Sequence, residues 1–401
     1  MRIPPITFAI GLCALSMGGC SPDDAVAAGP AFPNPRMSFP GNGRTLGYVA
    51  NRYSDTISVL ELGTLTVLGE VPVGINPVEL DGPAQVTLDP TRGVAYVLLT
   101  YPLSVVGAHA VAHGARPPFG YVRELSMRDL TPLGGLWVDR RAASLALSPD
   151  HSLVAVAHFD QDLALLSTDL DSRRANLDLL APAWGLETGT ADRRAQPVCV
   201  APLGVVLGKD GTRAFVACTG EDSLAVVDTT TLTVLTRVPA GDGPVNKPTA
   251  IAIDPAGEQV LLSNQLTDQV VVFKADDTAT ELWSSVELPG LPGPVAFLSA
   301  KEWLVPLQSP SGAVRVDAAT GQALTQKSYR DDECQNPHAA TIAADGTVFM
   351  VCEGDHYGPG AIVRLDALTL DVRARVEVGL YPDQLAIVAP AGTATTAAAN
   401  P

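Results

Sequence analysis

Apolar runs of four to eight residues alternate with tight turns rich in Gly, Pro, Asn and Asp along most of the chain, the spacing of strands rather than helices. The runs repeat as a frame. Gly47–Leu60 reads as a strand, a polar turn and a second strand, and the same order returns at Ala214–Val227, Leu261–Val270 and Phe349–Asp355. Further apolar runs end in Pro/Asp-Gly-type turns at Ala84–Asp89, Ala143–Asp150, Leu203–Asp210, Thr249–Gly257 and Ala339–Gly346. Equivalent turn positions fall at Asn51, Leu99, His158, Cys218, Asn264, Gln308 and Cys352. The last four are about 45 residues apart, the period of a propeller blade, while two earlier intervals of about 60 residues mark insertions. Four strands cannot bury a sheet face alone, and closing a ring removes the free edges. The expectation is an all-β, seven-bladed β-propeller of four-stranded antiparallel blades. Its last strand, Asp383–Val388, joins the first blade and closes the ring.

Particular residues sharpen this. Tyr48-Val49-Ala50-Asn51, Pro72-Val73-Gly74-Ile75-Asn76-Pro77 and Val378-Gly379-Leu380-Tyr381-Pro382 resemble the strand-and-turn and blade-junction motifs of the YVTN family of β-propellers. The resemblance spans residues 35–389. It implies the fold strongly and the function weakly, since that family includes binding proteins, lactonase-like enzymes and dehydrogenase subunits.

Composition changes the picture mainly at the ends and in the choice of partner. A net charge of −17 excludes nucleic acid and anionic lipid as main partners. Residues 1–19 read as an export signal: Arg2 is followed by an apolar stretch too short to span a bilayer. Leu15-Ser16-Met17-Gly18-Gly19-Cys20 resembles a bacterial lipobox, which implies lipidation at Cys20 and a protein anchored in the cell envelope, on the outer membrane. Residues 20–34 read as a flexible tether and 390–401 as a disordered tail. Contact with the membrane is expected through the lipid alone.

In a propeller, the loops into each innermost strand and between the second and third strands share one rim, here called the upper. Two insertions, Thr100–Gly120 and Ala181–Gln196, are assigned to it, which makes this the expected face for a protein or small-molecule ligand. Four cysteines sharpen the register. Cys199 and Cys218, like Cys334 and Cys352, stand where one opens an innermost strand and the other ends its antiparallel neighbour. Two disulfides are expected in an exported protein, Cys199–Cys218 and Cys334–Cys352. No Cys-x-x-Cys occurs, so zinc-ribbon, thioredoxin and c-type haem chemistry lack their motifs.

Histidines supply the candidate chemistry. His109 and His113 have the i, i+4 spacing of some metal sites, set against a solvated loop pair. His338 opens an innermost strand, and Asp355, His356 and Tyr357 lie in a turn of the same repeat. Together they suggest a metal ligand set or a general base tuned near neutral pH. The alternative is polar decoration of turns that need Asp and Gly for backbone reasons. His158, Asp160 and Asp162 occupy the corresponding turn of the third blade, and Trp184 and Asp383 complete the expected ligand-binding face. No cofactor is expected beyond a possible divalent metal. The leading expectation is a non-enzymatic binding or scaffold propeller, with a lactonase-like hydrolase or dehydrogenase-subunit type as the alternative and a metal-binding propeller as a third reading.

Overall fold

The computed structural model describes residues 37–390 apart from 40, 42, 76–79, 101–118, 141, 160–161, 169–192, 244 and 285–286. Seven four-stranded antiparallel sheets form the blades of a propeller. In the first blade the C-terminal strand Pro382–Val388 lies innermost and pairs antiparallel with Leu46–Asn51, so the two ends of the chain close the ring. Strands Leu46–Asn51, Val94–Leu99, Leu153–His158, Arg213–Cys218, Gln259–Asn264, Glu302–Leu307 and Val348–Cys352 are the second strands of their blades. Six end where the repeat frame places them. The sixth ends at Leu307, one residue before Gln308, because Pro292 bridges Leu307 as the opening prolines of other blades bridge their strand ends.

These second strands are buried almost end to end, as strands covered on both faces must be. Tyr48, Tyr96 and Phe215 occupy the same third position of their strands and are fully buried between blades. The Tyr48 hydroxyl donates to the Met127 carbonyl at 2.8 Å, and burial pushes its pKa up to about 12. No helix among the described residues is long and apolar enough to cross a membrane.

One backbone device recurs at the upper end of the innermost strands. Ladder pairing skips Ala84, Ala143, Leu203, Thr249, His338 and Asp383, each the second residue of its strand. A bulge of this kind leaves one residue unpaired and re-aims its side chain. The residue before the opening proline is left-handed in several blades, with φ of 51° at Ala201, 55° at Lys247, 50° at Asn336 and 50° at Tyr381. Its carbonyl accepts from the first residue after the second strand. Thr219 bonds Ala201 and Gln265 bonds Lys247; Glu353 bonds Asn336 and Arg52 bonds Tyr381.

Both expected disulfides are present, with Cα–Cα separations of 5.8 Å for Cys199–Cys218 and 5.2 Å for Cys334–Cys352. One expected insertion is in part a strand. The strand Arg193–Pro197 is the outermost of the third blade, and Arg193 pairs near the lower end of Asp162–Ser167. Arg193–Gln196 of the expected upper-rim insertion therefore belong to this strand, and 181–192 lie outside the described residues. The polar strand Arg193-Arg194-Ala195-Gln196-Pro197 carries no apolar alternation to reveal it. The strands Val94–Leu99 and Phe119–Ser126 are the second and third of their blade, and residues 101–118 between them lie outside the described residues.

Candidate functional site

Two repeated positions build a cluster on the upper rim where blades six, seven and one meet. The position after each second strand supplies Gln308, Glu353 and Arg52. Their main chains are held by equivalent bonds, Gln308 N–H to Leu291 at 2.9 Å, Glu353 N–H to Asn336 at 3.1 Å and Arg52 N–H to Tyr381 at 2.9 Å. The bulged position of the innermost strands supplies His338 and Asp383. Adjacent blades thus present the same two positions to one another, and the five side chains converge.

His338 lies between two carboxylates. Its Nδ1 is 2.5 Å from Glu353 Oε1 and its Nε2 is 2.8 Å from Asp383 Oδ1. Carboxylates only accept, so both ring nitrogens must donate, and the ring is an imidazolium. Burial opposes that charge, but the charges and hydrogen bonds of Asp383 and Glu353 override it and lift the His338 pKa to about 10. His338 is therefore a fixed cation rather than the neutral-pH base expected from sequence. Arg52 pairs with the other oxygen of Asp383. Burial alone would raise the Asp383 pKa, yet the cations Arg52 and His338 hold it below the usual range. The Gln308 amide lies 3.1 Å from His338 Nδ1 and 3.4 Å from Glu353 Oε1. With Nδ1 protonated, it donates to the carboxylate.

His356 completes the cluster, its Nε2 lying 2.9 Å from Glu353 Oε2. The turn that carries it links strands ending at Cys352 and starting at Pro359, two residues longer than the turns after Asn51, Cys218 and Asn264. His356 adopts φ 67°, the left-handed conformation that Asp55, Asp222 and Asp268 also take as the fourth residue of their turns. Its ring packs 4.1 Å from Tyr381, and Tyr381 lies 4.8 Å from Tyr53 and under the Arg52 guanidinium at 5.3 Å. The carboxylates sit at the back, with Glu353 and Asp383 side chains 4% and 6% exposed. Arg52, His338 and His356 face outward at 28%, 30% and 35%.

Sequence reading placed His338, His356 and Asp383 on this face but missed Glu353, Arg52, Tyr381 and Gln308. A signal existed. The position after the second strand reads Arg52, Thr100, Phe159, Thr219, Gln265, Gln308 and Glu353 around the ring, and the four adjacent blades five, six, seven and one carry the long polar side chains. Asp355 lies in the same turn but is fully exposed, its carboxylate accepting from Tyr357 and Gly358 N–H groups. Tyr357 is 92% exposed. His158, expected in an open turn, is instead the last residue of its strand and is fully buried. Asp162 opens the neighbouring strand. Asp160, Trp184, His109, His113 and Cys20 lie outside the described residues.

Ligand atoms of His338, Glu353 and Asp383 lie within 4.8 Å of one another, as a metal trio requires. His338 already turns both nitrogens to the carboxylates, so a metal could bind there only by displacing an imidazolium proton. The other such trio among the described residues, Cys199, Cys218 and Glu221, has its sulfurs tied in a disulfide.

Comparison with known proteins follows the fold more closely than the site. Residues 189–299 match the sequence profile of the family described as "Lactonase, 7-bladed beta-propeller". The match covers blades four and five and stops short of every residue of the cluster. No curated protein matches the sequence. Among solved structures, the periplasmic gluconolactonase of Pseudomonas aeruginosa is 18% identical with a TM-score of 0.61, covering 86% of this chain and 99% of its own. A putative 6-phosphogluconolactonase from Bacteroides fragilis is 12% identical with a TM-score of 0.60, covering 88% and 100%. The dihydro-heme d1 dehydrogenase NirN is 15% identical with a TM-score of 0.52, covering 91% and 81%. At such identities the likeness is one of fold.

Proposed function

We propose that the chain is a lactonase-like hydrolase of the cell envelope, with its active site in the upper-rim cluster at the ring closure. The observation that carries this reading is the layering of the cluster: outward-facing Arg52 and His356, with buried Glu353 and Asp383 fixing them from behind. The profile match to lactonase propellers supports hydrolysis over the scaffold role expected from sequence. The two disulfides support an exported protein. Lipid attachment at Cys20 remains part of the proposal, and replacing Cys20 with Ser should release the protein from membranes.

Each group has a role in opening an ester ring. His356 donates Nε2–H to Glu353, which leaves Nδ1 with the lone pair of a general base. Nδ1 takes a proton from water as the water oxygen bonds to the lactone carbonyl carbon. The carbonyl oxygen gains negative charge, and the Arg52 guanidinium is the donor placed to receive it. Arg52 is held by Asp383 through one terminal nitrogen, and its side chain is 28% exposed at the rim. His338 adds a fixed positive charge that the reaction does not have to create. The ring C–O bond then breaks, and His356 returns its proton to the departing alkoxide, giving a hydroxy acid.

The direct test is acid release from δ-valerolactone, followed with a pH indicator. Hydrolysis above the buffer rate should fall by about 10²-fold or more in His356→Asn and Arg52→Ala. A wild-type rate equal to buffer would sink the hydrolase reading. Activity should survive EDTA, and a loss restored by a divalent ion would put a metal in place of the His338 proton.

A further inference from the structure

The mouth of the channel is polarised, and this bears on the substrate of the proposed hydrolase, on which reading the inference rests. The bulged position carries His338 and Asp383 in blades seven and one, but Ala84, Ala143 and Leu203 in blades two, three and four. The position after the second strand carries Glu353 and Arg52 on one side and Thr100, Phe159 and Thr219 on the other. Even the threonines there are committed. Thr100 Oγ1 donates to the Gly82 carbonyl at 2.9 Å, and Thr219 Oγ1 donates to the Pro248 carbonyl. Leu203 and Ala143 are half-buried at this rim, and Phe159 and Val200 are exposed on it. Around the described mouth, then, charged groups of blades seven and one stand against aliphatic or spent polar groups of blades two, three and four, with the polar Thr249 and Gln265 of blade five between them.

A polyhydroxylated sugar lactone needs hydrogen-bond partners around its whole ring, because a hydroxyl buried without one costs free energy. At these two positions the described residues of blades two, three and four offer none that is uncommitted. We infer that the substrate is an amphiphilic lactone, its ester seated at Arg52 and His356 and an alkyl substituent lying across the mouth toward Leu203 and Ala143. In a ring of seven blades, blades three and four stand opposite blade seven, which sets the two groups of residues on facing sides.

Three lactones of one ring size separate this from its alternatives: δ-valerolactone with no side chain, δ-decalactone with a pentyl chain, and glucono-δ-lactone. Burial of methylenes should raise kcat/KM by about two- to fourfold each, so with five carbons δ-decalactone should exceed δ-valerolactone by about 30-fold or more. Glucono-δ-lactone should be the poorest of the three. Leu203→Asp should lower the ratio of δ-decalactone to δ-valerolactone turnover by about tenfold. A preference for glucono-δ-lactone, or a ratio unmoved by chain length, overturns the amphiphile and leaves the hydrolase standing. If no lactone opens, the hydrolase reading falls by itself. Calorimetric titration with 5-hydroxydecanoate and gluconate then decides the chain preference alone: tighter binding of the alkyl acid supports it, and equal or weaker binding overturns it.

Discussion

Blades four and seven carry the same disulfide in the same register, yet the turns beside them are used differently. In blade four the turn after Cys218 has four residues, and its polar groups are absorbed by scaffolding. Thr219 bonds the Pro248 carbonyl, and Asp222 accepts the Lys247 N–H. Glu221 accepts from Val200 N–H and Ser223. In blade seven the turn is two residues longer. Glu353 there binds two histidines, one of them His356 of the same turn. The main-chain bonds that hold both turns to the preceding loop are the same. A repeat supplies identical backbone anchors at no extra cost, and function enters where side chains are released from serving them.

The comparison breaks first at Glu353. Glu353→Gln should reduce lactone hydrolysis by roughly 10²- to 10³-fold, because it unpairs two imidazoles at once. Thr219→Val at the equivalent position should leave turnover within twofold. Equal losses would mean that both turns act only through stability. Next come the disulfides. Each closes a loop of under 20 residues (separations of 19 and 18), so removing either by paired Cys→Ser should cost about 3 kcal/mol in denaturant unfolding. Loss of Cys334–Cys352 should also lower kcat, since it ties the segments bearing His338 and Glu353. Loss of Cys199–Cys218 should not. Asp383→Asn leaves Arg52 and His338 facing a neutral amide, and should destabilise the fold by about 3 kcal/mol. An effect under about 0.5 kcal/mol would show that the pair is solvent-screened.

The smallest expected effect is on pH dependence. His338 has a folded pKa raised to about 10, so its contribution is complete below the unfolded value of about 6.5. Stability should therefore decline as pH rises from about 6.5 toward 10. The depressed Asp383 acts oppositely, contributing above its unfolded value of about 3.9 and failing as pH falls below it. His338→Gln should flatten the alkaline slope. A slope of wild-type steepness in that variant would assign it to another group.

The sequence by itself determined the ring. Turn residues, apolar strand frames and their period specify blades whatever the surroundings, and the cysteine spacing within a frame specified both disulfides. These are local or periodic quantities, readable one repeat at a time. The outer strand Arg193–Pro197, read from sequence as part of a loop, shows the limit: a polar outer strand has no apolar pattern, so the count of strands slips there. Tertiary structure alone decided which repeat positions meet. Arg52 and Asp383 stand 331 positions apart in the chain, and only closure of the ring brings them into contact. The same closure sets His338 between two carboxylates and makes it a cation. Charge state depends on what surrounds a side chain in space, and that information is absent from its place in a repeat.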